Sequence, residues 1–214
     1  MVRKILLGCG IVSSVLYVSS DILISWWDPN YSYRDQSFSE LLAPGSLTRP
    51  LVLVSLAIPY GVLVTAFGVG VWASASRRRA GRITGALLVG YAVIGALTGV
   101  FLSAPTREVL EAGEETWRNR MHLPGTAVSV LCILLAIGFG STLLGRRFRY
   151  YSYASILAIL VFGVLTSLQV DQMEANQPTP WMGIVERGNV YAIMLWVPVL
   201  AIGLLRAAKS EGQD

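Results

Sequence analysis

The chain has 214 residues, is 54% hydrophobic and only 14% charged, and carries a formal net charge of +4. Its mean hydropathy is +0.58. A soluble domain of this length ordinarily carries about a quarter charged residues, so this composition excludes an ordinary soluble domain and points to lipid as the solvent. The net positive charge is not read as a nucleic-acid patch, because its distribution follows the rule that basic loops stay in the cytosol.

Spanning the hydrocarbon core takes roughly 20 apolar residues per helix. Six such stretches fill most of the chain and leave only short loops. The expected fold is therefore an all-α integral membrane protein, a six-transmembrane-helix bundle forming one membrane domain over residues 1–214.

At the N-terminus, Leu6-Leu7-Gly8-Cys9 behind Arg3 and Lys4 looks like a lipoprotein cleavage box. Too few apolar residues precede Cys9 for the core of a signal peptide, and the apolar run continues to Trp27. This segment reads as helix 1, residues 5–26, ending in an interfacial aromatic pair, Trp26 and Trp27. A polar loop with turn residues follows, and helix 2 is expected over 50–75 with a kink at Pro59. Arg77, Arg78, Arg79 and Arg82 make a basic turn before helix 3, residues 83–103. Glycines 81, 85, 95 and 99 in and before that helix give two G-x-x-x-G spacings, a packing signal. In the next loop Leu110, Gly113, Trp117 and Met121 share one side of a short helix expected on the membrane surface. Helix 4 is expected over 123–144, the basic Arg146-Arg147-Phe148-Arg149 turn follows, and helices 5 and 6 cover 153–170 and 183–205, the last with Pro198.

Lys and Arg divide unevenly between alternate loops. Eleven lie on the side of both termini and six on the other, where the loops are longer. Of the acidic residues, only Glu211 and Asp214 lie on the basic side. Both termini are thus expected in the cytosol, and the small size and short loops suit a prokaryotic cytoplasmic membrane. Helices 1–3 and 4–6 share no motif that would mark an inverted repeat. Cys9 and Cys132 fall in apolar stretches outside any C-x-x-C pair and read as small hydrophobes.

Ionisable residues at membrane depth are costly, which makes their placement informative. Asp21 lies inside helix 1 near its outer end. Arg49 precedes helix 2, His122 precedes helix 4, Asp171 ends helix 5, and Glu186 and Arg187 open helix 6. All fall in one outer layer and are expected to form one polar pocket; the rival reading makes them salt bridges that tie helix ends together. His122 is the only histidine. One histidine among carboxylates is a poor zinc set, so no metal and no cofactor are implied. No G-x-S-x-G elbow, phosphate loop or H-E-x-x-H occurs. Ser13, Ser14, Ser19 and Ser20 read as helix-bonding serines rather than nucleophiles.

Several motifs carry a family resemblance. Ser39-Glu40-Leu41, then Ala43-Pro44-Gly45-Ser46-Leu47-Thr48-Arg49-Pro50, Met121-His122-Leu123, and Gly183-Ile184-Val185-Glu186-Arg187 resemble the domain of unknown function 998 family. The resemblance implies a multi-spanning membrane protein, singles out Ser39, Glu40, Arg49, His122, Glu186 and Arg187, and implies no reaction. Membrane hydrolases of the alkaline ceramidase and progestin-receptor-like group use three histidines, usually on seven helices, and this chain lacks that set.

Three functions remain open on the sequence. The first is binding, with a polar pocket at the outer leaflet that transports or handles a lipid or small molecule. The second is an enzyme pairing His122 with a carboxylate on a lipid or isoprenoid substrate. The third is a structural or assembly subunit without its own site. The expected partners are membrane lipid and a lipid or small-molecule ligand, not nucleic acid.

Overall fold

The computed structural model describes residues 1–74, 79–102 and 104–210. Ala75, Arg77 and Arg78 near the first basic turn, Ser103 at the expected end of helix 3, and Glu211 and Asp214 of the tail lie outside the described residues.

Six helices are long and apolar enough to cross a membrane. They are α1 (Val2–Trp27), α2 (Arg49–Ser74), α3 (Arg79–Phe101), α4 (Trp117–Gly140), α5 (Arg146–Ser167) and α6 (Met182–Ser210). In lipid a helix satisfies its backbone groups internally, and the long apolar runs leave the chain little alternative even where Pro59, Pro124 and Pro198 interrupt them.

The boundaries differ from the sequence reading where a cap decides them. α4 starts at Trp117 because Thr116 and Asn119 form a reciprocal capping box. Trp117 and Met121 therefore belong to a span, and the short helix of that loop is Arg107–Glu111. α5 starts at Arg146, directly after Gly145 at a φ of 92°. The Arg146-Arg147-Phe148-Arg149 segment is thus its first turn, with Phe148 buried 6.0 Å from the Trp196 ring. In α2 the residues before Pro59 widen into a π turn, Leu53–Ala57, closed by the Ile58 N–H on the Leu53 carbonyl. That turn lets the helix continue past a residue whose ring crowds the preceding carbonyls.

The helices pack in chain order around a ring: α1 on α2, α2 on α3, α3 on α4, and α6 against both α5 and α1, with a lighter contact between α4 and α5. α2 and α3 cross closely at Gly68 and Gly85, where an added Cβ on either would meet the other's carbonyl oxygen at 2.8 and 2.6 Å. Trp196 of α6 is fully buried, donates to Ser152 at 3.0 Å, and rests against Gly140 of α4. α5 faces outward most: 11% of its apolar window is buried, against 28–39% in the other spans.

At the end opposite both termini, three loops meet. The 28–48 loop lies across the mouths of α1 and α6, and residues 104–116 and 168–181 flank it, bonded to it or to each other.

Candidate functional site

Asp21 stands on the core face of α1, seven residues after Ser14 and four before Ser25, and all three are buried. Arg187, in the second turn of α6, is 3% exposed and Asp21 0%. The guanidinium grips the carboxylate through Nε, at 2.9 Å from Oδ2, and through Nη2, at 2.8 Å from Oδ1. Tyr191 donates to the same carboxylate at 2.6 Å and Ser25 at 3.3 Å. The remaining guanidinium donors reach the carbonyls of Tyr33 and Gly183, the Ser25 hydroxyl and the Tyr31 hydroxyl. The Tyr33 ring covers the guanidinium at 3.8 Å. A charge pair in low dielectric is stable only when every donor and lone pair is used in this way.

A second knot fastens the 28–48 loop. Arg107 donates to both Glu40 oxygens, at 3.0 and 3.1 Å, and to Thr179 at 2.8 Å. Glu40 also caps the 3-10 turn Phe38–Leu42 by accepting from the Ser37 N–H. Burial alone would raise the Glu40 pKa, but hydrogen bonds from Arg107 and Gln36 hold it below the ordinary carboxylate range. Asp35 is lowered to about 2, first by Arg34 and then by the Trp181 N–H. Burial lifts the Tyr31 hydroxyl well above its usual range, against the opposing charge of Arg187. Ser39 shares a hydrogen bond with Ser37 within the same turn.

Glu186, the neighbour of Arg187, points differently. One of its oxygens accepts the Phe38 N–H of the loop. Arg49 donates to the carbonyls of Leu42 and Val100, pinning the α2 start to the α3 end. His122 bonds through Nδ1 to the Leu102 carbonyl. Asp171 is exposed in the short helix Val170–Glu174.

The structure thus brings Asp21, Arg187, Glu186, Glu40 and Ser39 together around the 28–48 loop, while Arg49 and His122 sit at the α3 end and Asp171 stands apart. Arg107, Tyr31, Tyr33 and Tyr191 were not nominated from sequence. The paired Tyr31 and Tyr33 in a polar loop were the available signal; for Arg107 there was none, since its partner lies 67 residues away.

Beside Arg49 lies a groove of about 560 Å³. Its walls include Arg118, Glu114 and Thr116, and Val100, Phe101 and Val109 give it an apolar side. Among the described residues, no group of three His, Cys, Asp or Glu could hold a metal. The clamps can hold the 28–48 loop in place.

Residues 11–203 match the family model described as "Protein of unknown function (DUF998)". The chain belongs to the DUF998 family. That match includes all eight nominated residues of this DUF998 member, from Asp21 to Arg187. No curated protein and no solved structure matches.

Proposed function

We propose that this chain is a multi-pass protein of the cytoplasmic membrane, both termini cytosolic, that binds a phosphate-bearing lipid headgroup at its outer end. The observation that carries this reading is the groove beside Arg49, with Arg118 on its rim and an apolar flank of Val100, Phe101 and Val109. Arginine matches phosphate geometry through its planar fork. The groove lies where α2 and α4 begin and α3 ends, the level of headgroups for a bundle that spans the bilayer. Trp117, 69% exposed beside it, suits an interfacial anchor. The uneven division of Lys and Arg supports the orientation.

The test is native mass spectrometry of the chain released from mild detergent, beside Arg118→Gln and the double Arg49→Gln/Arg118→Gln variant. Bound phospholipid is expected in the wild type and about tenfold weaker in Arg118→Gln, the order of one charge-assisted hydrogen bond. Equal phospholipid on the double variant would sink the reading.

One observation favours a second, structural reading: Asp21 with Arg187 and Glu40 with Arg107 neutralise one another. An acid–base enzyme of the expected kind needs His122 beside a carboxylate, whereas the partner of His122 among the described residues is the Leu102 carbonyl, on Nδ1.

A further inference from the structure

One carboxyl group at the loop end makes no ion pair among the described residues. Arg187 is committed to Asp21, Arg107 to Glu40 and Arg34 to Asp35. Glu186 has no cation within ion-pair distance among the described residues. Its Oε2 takes the Phe38 N–H, and its Oε1 has no hydrogen-bond partner among them. Glu186 is half-buried, so its unpaired oxygen faces accessible space near the end of a span, where a positive occupant is favoured.

The surroundings say what kind. Glu186 lies four residues into α6, about 6 Å along its axis at 1.5 Å per residue. Tyr17 and Tyr91 lie ten residues from the loop ends of α1 and α3, and Tyr60 eleven residues from that of α2. The same rise places all three about 15 Å deep, below Glu186. Each sits on the core face of its helix, in register with buried Ser14 and Asp21, Leu56 and Val64, and Leu88 and Thr98, yet each keeps accessible surface. The Tyr17 hydroxyl has no hydrogen-bond partner among the described residues. Its ring meets those of Phe38 at 5.7 Å and Tyr60 at 5.1 Å. Tyr60 and Tyr91 pair through their hydroxyls at 3.1 Å.

We propose that Glu186, roofed by Phe38 and floored by Tyr17 and Tyr60, is the binding site of a protonated amine. An ammonium group offers three N–H donors. Glu186 Oε1 and the Tyr17 hydroxyl accept two of them, and the aromatic faces attract the charge. A divalent metal demands about six oxygen ligands, which these residues do not supply. The site is separate from the arginine-lined groove and does not depend on it. The amine reaches it either as a free solute from the loop side or as a lipid headgroup.

The test uses the full chain in detergent micelles, titrated calorimetrically with ethanolamine hydrochloride and, at matched ionic strength, with sodium chloride. Wild type is compared with Glu186→Gln, which keeps an acceptor for the Phe38 N–H, and with Tyr17→Phe. Ethanolamine is expected to bind wild type and sodium to give no binding heat. Glu186→Gln is expected to lose about tenfold or more in affinity and Tyr17→Phe a smaller factor. A bound ethanolamine phospholipid in native mass spectra, displaced by ethanolamine, assigns the amine to a headgroup; binding of free ethanolamine without it assigns a solute. The proposal is overturned if neither form binds, or if both variants bind as tightly as wild type. It is also overturned if Glu186 only takes a proton, seen as pH-dependent melting that Glu186→Gln abolishes with no amine binding.

Discussion

Arg187 makes more interactions than any other side chain at the loop end, and each has a distinct physical role. Its fork fixes Asp21, its remaining donors fix the 28–48 loop through the Tyr33 carbonyl and the Tyr31 hydroxyl, and the Tyr33 ring shields it from solvent. Removing one member of a buried pair leaves the other uncompensated, at a cost of about 3–5 kcal/mol. Arg187→Gln is therefore expected to destabilise the chain by about that amount, measured by thermal unfolding in micelles. The double variant Asp21→Asn/Arg187→Gln is expected to lose less than the two single losses summed. A loss below about 1 kcal/mol for Arg187→Gln, the range of exposed pairs, would mean that water reaches the site. Asp21 was legible in the sequence because a carboxylate inside an apolar run stands out. Arg187 was nominated as well, from its place at the opening of helix 6, but the pairing was not legible, because the two residues lie 166 positions apart.

Among the helices, the α2–α3 contact shows how small residues act at the scale of an element. The two backbones approach so closely at Gly68 and Gly85 that a methyl group on Gly85 would stand 2.6 Å from a carbonyl oxygen and 2.7 Å from the Trp72 backbone nitrogen. Backbone cannot yield as a flexible side chain can, and overpacking of this kind costs about 1–3 kcal/mol. Gly85→Ala is expected to lose that much. Gly138→Ala, with nothing within 4 Å of the added carbon, is expected to be neutral or to gain about 0.4–1 kcal/mol through helix propensity. Equal effects of the two in a denaturation series would remove close packing as the explanation. The G-x-x-x-G spacing identified α3 as a helix with close neighbours. Its partner, and the use of Gly85 rather than Gly95 for this close approach, follow from helix rotation, which no local pattern fixes. Boundaries were missed where caps act: the Thr116–Asn119 box began α4 earlier, and the Arg146-Arg147-Phe148-Arg149 turn proved helical because Phe148 has a core site beside Trp196.

At the scale of the whole molecule, six helices and an uneven division of Lys and Arg predict cytosolic termini. In a Cys9→Ala/Cys132→Ala background, Asp171→Cys is expected to react with a membrane-impermeant maleimide on intact cells, and Arg146→Cys only after lysis. Both positions are exposed at opposite ends of the bundle, so the reverse pattern would invert the orientation. The sequence by itself determined the number and order of the spans, because a bilayer admits only segments long, apolar and internally hydrogen-bonded. It also put the costly charges toward one end of the bundle, since position along a helix is simply residue count. Only the tertiary structure decided which charges neutralise each other, which carboxylate is left over, and which tyrosines converge beneath it. Those depend on the rotation of each helix and on the path of the 28–48 loop, set by long-range packing between residues far apart in the chain.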